Sequence, residues 1–137
     1  MDSYSKYSKQ THITYDHFVE ENGQIFAGHH YLIDMWNVNI RDNIKYINDL
    51  LFRASEAANA KVLHQHAHHF GHNMGISAIA VLAESHISVH TWPERNYIAF
   101  DIFMCGNTDP DLSLNLLKTE LKPSRIKVKK IKRGLIE

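Results

Sequence analysis

Two segments of alternating character, Ile87–Trp92 and Tyr97–Met104, are separated by only four residues, Pro93-Glu94-Arg95-Asn96. Period-two alternation marks a strand with one buried face, and so short a link permits only an antiparallel hairpin. A chain with such a hairpin near its centre must build an antiparallel sheet and cover one side of it. The register follows from the turn. With Trp92 opposite Tyr97, His90 faces Ala99, Ser88 faces Asp101 and His86 faces Phe103. Two positions further, Cys105 falls opposite Glu84 and diagonal to Ser85. Opposed Cβ atoms lie about 4.5–5.5 Å apart. The single cysteine of the chain is therefore expected beside the Glu84–Ser85 peptide bond, with His90 on the same face a few residues along. Alternation turns Ser85 to the other face, so a kink or bulge at Glu84–Ser85, or a break in the chain there, is needed for the three to meet.

The rest of the chain supplies the cover. Ile25–Val38 is bulky and loosely alternating, a strand. Asn39 is positioned to cap a helix of about five turns, with Ile44, Ile47, Leu51, Ala54 and Ala58 as its apolar stripe. Lys61–His66 reads as a short strand, and Ile76–Ala83 as a strand buried on both faces. Asp109-Pro110 is a helix start, a cap followed by proline at the first helical position. Leu112, Leu116, Leu117 and Leu121 form the second stripe, and Pro123 ends that helix. Ile126 and Val128 alternate with lysines, as in a guarded edge strand. The expected fold is α+β: a two-layer sandwich of an antiparallel sheet with two helices on one face.

The 137 residues suit one domain. Residues 1–22, whose start is rich in Ser, Tyr and Lys, are expected as a flexible N-terminal extension, and 23–137 as a single domain. The longest run of apolar and small residues, Gly75–Ala83, is far short of the ~20 needed to span a bilayer. No targeting signal opens the chain, which points to the cytoplasm and away from a membrane. One cysteine excludes an intrachain disulfide framework. Fifteen Lys and Arg balance fifteen Asp and Glu, so net charge gives no reason to expect nucleic acid. The eight basic residues between Lys118 and Arg133 suit an edge guard better than an RNA surface.

Two chemistries can be written on these residues alone. His90 and Cys105 fit a base and a thiol nucleophile. Five histidines between His64 and His72 place His64, His66 and His68 on one face of a strand, as in a metal-binding module; no metal ligand set is assigned.

The longer pattern points to a third chemistry, with the His-rich metal-binding module kept as the alternative of another class. Leu82-Ala83-Glu84-Ser85-His86-Ile87-Ser88-Val89-His90-Thr91-Trp92-Pro93-Glu94, followed by Asp101-Ile102-Phe103-Met104-Cys105-Gly106, resembles the short prokaryotic form of S-adenosylmethionine decarboxylase. Gly28-His29-His30 through Asp34, Gly75-Ile76-Ser77 and Asp109-Pro110 fit the same pattern, so the resemblance runs from about Gly28 to the C-terminus. It implies a proenzyme that makes its own cofactor. Ser85 attacks the Glu84 carbonyl in an N-to-O acyl shift. Removal of the residue-85 Cα proton, assigned to His90, expels the ester by β-elimination. Hydrolysis with loss of ammonia then leaves a pyruvoyl group, and the chain is cut between 84 and 85. The resemblance gives Ser77 a supporting role in processing. The pyruvoyl would form a Schiff base with the substrate amine, and Cys105 would donate a proton to the product carbon. It also implies a homodimer of processed protomers, and aminopropyl supply for polyamine (spermidine) synthesis.

The chain departs from that pattern at His64-x-His66-x-His68-His69-Phe70-Gly71-His72 and at Arg95-Asn96-Tyr97. Trp92 and Glu94 are the substrate-binding candidates, for an adenine face and a cationic group. Pyruvoyl-dependent decarboxylation of ornithine or arginine is the alternative on this scaffold, with Glu94 or Asp34 meeting a distal cation.

Overall fold

The structure is a computed structural model that describes residues 11–13 and 16–136. Its main body is a six-stranded antiparallel sheet. The strands are β4 (Gly28–Trp36), β5 (Val62–His69), β6 (Ile76–Leu82), β7 (Ser85–Trp92), β8 (Tyr97–Cys105) and β9 (Arg125–Arg133), in spatial order β5-β6-β7-β8-β4-β9. Two helices, α1 (Ile44–Ala57) and α2 (Pro110–Leu121), lie side by side on one face, α1 over β5, β6 and β7 and α2 over β8. The expected two-layer α+β sandwich is the observed one. A smaller antiparallel sheet, β1 (Thr11–Ile13), β2 (Val19–Glu21) and β3 (Gln24–Phe26), precedes it.

The β7–β8 register is the one the turn dictates: Trp92 pairs with Tyr97, His90 with Ala99, Ser88 with Asp101 and His86 with Phe103. Pro93–Arg95 form one 3-10 turn, closed by Asn96 at φ +51°, a left-handed position that Asn tolerates.

Several boundaries differ from the sequence reading. The first strand is interrupted at Ala27, whose N–H donates to the Arg133 carbonyl (2.7 Å), leaving Gln24–Phe26 in the small sheet. Asn43, not Asn39, caps α1, its side chain accepting from the Tyr46 N–H at 2.9 Å. The helix is therefore shorter, and its buried stripe is Ile47, Leu50, Leu51 and Ala54, with Ile44 exposed. In α2 the cap at Asp109 and Pro110 sets the phase so that Ser113, Leu114, Leu117 and Leu121 are buried and Leu112 is exposed. β5 runs on to His69. β6 is covered on one face only. Ile76, Ala78, Ala80 and Leu82 enter the core, while Ile79 and Val81 stand on the open side. Within the stretch expected as a flexible extension, Thr11–Ile13 and Val19–Glu21 are strands, and Val19 is buried; residues 1–10 and 14–15 lie outside the described residues.

The helix-covered face of the sheet carries Tyr31, Ile33 and Met35, then Ile87 and Val89, then Ile98, Phe100, Ile102 and Met104, all buried. The opposite face has no helix on it. Its side chains fall in rows across the strands: His68, Ser77, His90, Ala99, Asp34 and Lys127 in one, and His64, Val81, His86, Phe103, His30 and Ile131 in another.

Candidate active site

Ser85 is the first residue of β7. It pairs with Leu82 across the tight turn Ala83-Glu84, and Glu84 takes the left-handed conformation, φ +68°. A turn stands here in place of the kink or bulge that would have carried Ser85 to the face of Cys105 and His90. A left-handed non-glycine residue costs about 1–2 kcal/mol, so strain sits on the residue whose carbonyl precedes Ser85. The turn does not swing Ser85 to the open face. Ser85 is 8% exposed and shares the helix side of β7 with Ile87 and Val89.

Cys105 ends β8, half-buried, on the open side. Its main-chain N–H, rather than its thiol, reaches Ser85 and donates to Oγ at 3.0 Å. The close approach of β4 shapes this corner. A Cβ on Gly28 would stand 2.4 Å from the Met104 carbonyl oxygen and 3.0 Å from Cys105 Sγ, so only glycine lets the strands meet beside the thiol. Glu84 folds over the next residue, Gly106, where a Cβ would lie 3.0 Å from its Oε2. Burial, reinforced by the Glu84 carboxylate, pushes the Cys105 thiol pKa up. Both effects disfavour the thiolate.

His90 is not at this corner. Five residues of β7 separate it from Ser85, about 16 Å at about 3.3 Å per residue. It is exposed on the open face, where Nδ1 lies 2.8 Å from Ser77 Oγ, its cross-strand partner. Trp92 and Glu94 extend the same end. The Trp92 and Tyr97 rings lie 5.2 Å apart, Trp36 adjoins Tyr97 at 5.6 Å, and Arg125 covers Trp36 at 3.9 Å. The Tyr97 hydroxyl donates to Asp34; burial and that bond push its pKa up to about 12. Between the two ends, a groove of about 230 Å³ lies over the open face, lined by Leu32, Asp34, Ser88, His90, Ala99 and Asp101. The fold thus brings Ser85 to Cys105 across β7 and β8, and Ser77 to His90 across β6 and β7, as two pairs at opposite ends of β7.

Other functional candidates escaped the sequence reading. Asp101 Oδ1 accepts from His30 Nε2 at 2.6 Å and from His86 Nε2 at 3.3 Å. The β7–β8 register already made His86 and Asp101 diagonal neighbours, but His30 joins them only through the β4–β8 pairing. On the helix side, a cavity of about 530 Å³ adjoins the Cys105–Gly106 corner, with Val19, Glu21, His29, Met104, Gly106 and Asp111 among its lining residues. Its β2 wall comes from the stretch read as a loose extension. His17, next to it, pairs with Glu84 at 3.4 Å.

The histidine run does not gather into a metal site. His64, His66 and His68 project from one face of β5 opposite Val81, Ile79 and Ser77, spaced along a strand rather than around a point. Among the described residues, no group of three or more His, Cys, Asp or Glu side chains is placed to hold a metal ion. Among the β9 cations, Lys130 pairs with Asp111 at 3.0 Å and Arg133 lies over Phe103.

The sheet with helices on one face has a known counterpart, and the sequence has known relatives. The family model for S-adenosylmethionine decarboxylase matches residues 29–134. An S-adenosylmethionine decarboxylase proenzyme of Thermomicrobium roseum is 34% identical over 110 residues, covering 80% of this chain and 95% of the relative. One of Clostridium botulinum is 36% identical over 115 residues, covering 82% and 98%. The crystal structure of the adenosylmethionine decarboxylase from Aquifex aeolicus superposes with a TM-score of 0.72 at 31% identity, covering 82% of this chain and 94% of that one. The chain belongs to the S-adenosylmethionine decarboxylase family. No helix among the described residues is long and apolar enough to cross a membrane.

Proposed function

We propose that this protein is a pyruvoyl-dependent S-adenosylmethionine decarboxylase, made as a proenzyme that cuts itself between Glu84 and Ser85. The product supplies aminopropyl groups for spermidine synthesis. The observation that carries the reading is the junction itself. The Ser85 hydroxyl follows a left-handed Glu84, is held by the Cys105 N–H, and lies inside the segment matched to the family. Ser85 Oγ attacks the Glu84 carbonyl, and strain at Glu84 favours leaving the amide. The pyruvoyl so formed supplies a carbonyl for the substrate amine and an electron sink for decarboxylation.

The chain's own residues supply the proton transfers. His90 is the acceptor in processing. If its Nδ1–H donates to Ser77 Oγ, the Nε2 lone pair is left free over the open face, so Ser77 sets the tautomer. Cys105 is the donor in turnover, and its raised pKa keeps the proton on sulfur at neutral pH. Trp92 offers an aromatic face and Glu94 a carboxylate for the substrate's adenine and cationic groups.

The active unit is a homodimer. One chain carries Ser85 and Cys105 at one end of β7 and β8, and His90, Trp92 and Glu94, with Ser77 of the adjoining β6, at the other. Packing two open faces antiparallel would set His90 of the partner subunit over the end of β7 and β8 that carries Cys105 and the Glu84–Ser85 turn. Leu32, Ile79, Val81 and Trp92 are each 38–39% exposed on that face and supply apolar contact for the packing. A reduced thiol as proton donor suits the cytoplasm. No membrane or nucleic acid enters this reading.

Mass spectrometry of the denatured protein tests processing: two fragments are expected, the second beginning at a blocked residue 85. Release of labelled CO₂ from S-adenosylmethionine, ornithine and arginine tests the substrate. Release from ornithine or arginine alone would overturn the substrate and leave the cleavage standing.

A further inference from the structure

The open face carries a polar device that the proposed roles leave unused. Asp101 on β8 accepts two hydrogen bonds at one oxygen, from His30 on β4 at 2.6 Å and from His86 on β7 at 3.3 Å. A carboxylate only accepts, so each imidazole bears its proton at Nε2. The bonds tie three neighbouring strands together. The Phe103 ring lies against both imidazoles, with centroids 5.5 Å from His30 and 5.9 Å from His86. His30 is the most enclosed of the three, its side chain 15% exposed against 36% for Asp101 and for His86.

His86 has a special position in a chain cut between 84 and 85. In the intact proenzyme residue 85 is tethered on both sides. After cleavage it is the first residue of the second fragment, and the peptide bond to His86 is its only covalent tether. Chain ends fray unless tied down, and reacting groups must be held to about 10–20°. A side-chain anchor one residue from the new terminus opposes that freedom directly.

Resting on the proposed cleavage, we propose that Asp101, braced by His30, is a positioning residue that clamps His86 and so orients residue 85 once the chain has been cut. The clamp matters after cleavage and little before it. The carbonyl of residue 85 lies in the peptide plane it shares with the His86 N–H, so anchoring the His86 ring limits how far that plane can swing.

Hydrogen–deuterium exchange tests this in two chemical states of one fold. Asp101→Leu, which removes the acceptor oxygens, is made in the self-cleaving chain and, separately, in the uncleavable Ser85→Ala chain. In the cleaved protein the main-chain amides of residues 86–88 should exchange about tenfold faster than without the substitution, the loss expected for a hydrogen bond to a charged group. In the uncleaved protein they should change less than twofold. His30→Gln, which keeps a donor, should preserve most of the protection that His30→Phe removes. With S-adenosylmethionine, kcat per cleaved chain should fall about tenfold with KM nearly unchanged. Equal acceleration in both states would reduce the network to an ordinary structural bond, and no acceleration in either would remove the clamp. If the wild-type chain does not cleave, the cleavage reading has failed instead.

Discussion

The Cys105 main-chain N–H donates to Ser85 Oγ across 3.0 Å, while the Cys105 side chain stays on the other side of the sheet from Ser85. One residue thus serves the junction through its backbone and leaves its thiol free for a separate task. Cys105→Ala should keep this backbone bond. Cleavage should proceed near the wild-type rate while CO₂ release per cleaved chain drops by about 10²-fold or more, the usual reach of a positioned acid. Equal turnover per cleaved chain would take Cys105 out of the mechanism.

The thiol also has a pH signature. Burial and Glu84 raise its pKa, so the acid form persists at neutral pH. The Cys105-dependent part of turnover should hold steady there and fall only as pH rises through that elevated value. Cys105→Ser should lose this alkaline limb, because a serine hydroxyl does not ionise in the range. A pH profile of kcat per cleaved chain for both proteins checks it.

His90 and Ser85 are too far apart along β7 to serve each other within one chain. Ser85→Ala and His90→Ala should each block or slow cleavage when expressed alone. Expressed together, they should restore cut chains, all of them carrying His90→Ala, because a mixed dimer contains one complete site. Absence of cutting in the mixture, or a monomer by light scattering, would contradict the shared site.

Glu84 bears a strained backbone at φ +68°. In the uncleavable Ser85→Ala chain, adding Glu84→Gly should raise stability by about 1 kcal/mol, read as a higher Tm. In the self-cleaving chain the same glycine should slow cutting, since less strain is released. Faster cutting would show that strain does not help the reaction.

The α1 cap separates two assignments. Asn43→Ala should cost about 1 kcal/mol of stability, whereas Asn39→Ala should cost nearly nothing. Thermal melts of the two variants decide it. Comparable losses would mean that Asn43 owes its importance to something besides the bond to the Tyr46 N–H.

Much of the architecture was legible because it rests on local rules. Alternation on either side of Pro93–Asn96 set the β7–β8 register residue by residue, and with it the meeting of Cys105 and Ser85. Apolar spacing marked both helices, and Asp109-Pro110 marked the start of α2. The Glu-Ser-His and His-Thr-Trp-Pro-Glu motifs carried the family, since their residues are close in sequence. What remained depended on which distant segments came together. Asn39 and Asn43 are equally good caps by composition, and only the packed helix chose between them. Ile76–Leu82 is apolar on both sides, so nothing in its pattern could say that one face lies open. His30 meets Asp101 across 71 positions of chain, and His17 reaches Glu84 from a segment with no apolar pattern to mark it as folded. Short-range hydrogen bonding and side-chain periodicity are encoded residue by residue. Contacts between distant strands depend on how the whole sheet orders itself, and that is settled only when the core closes.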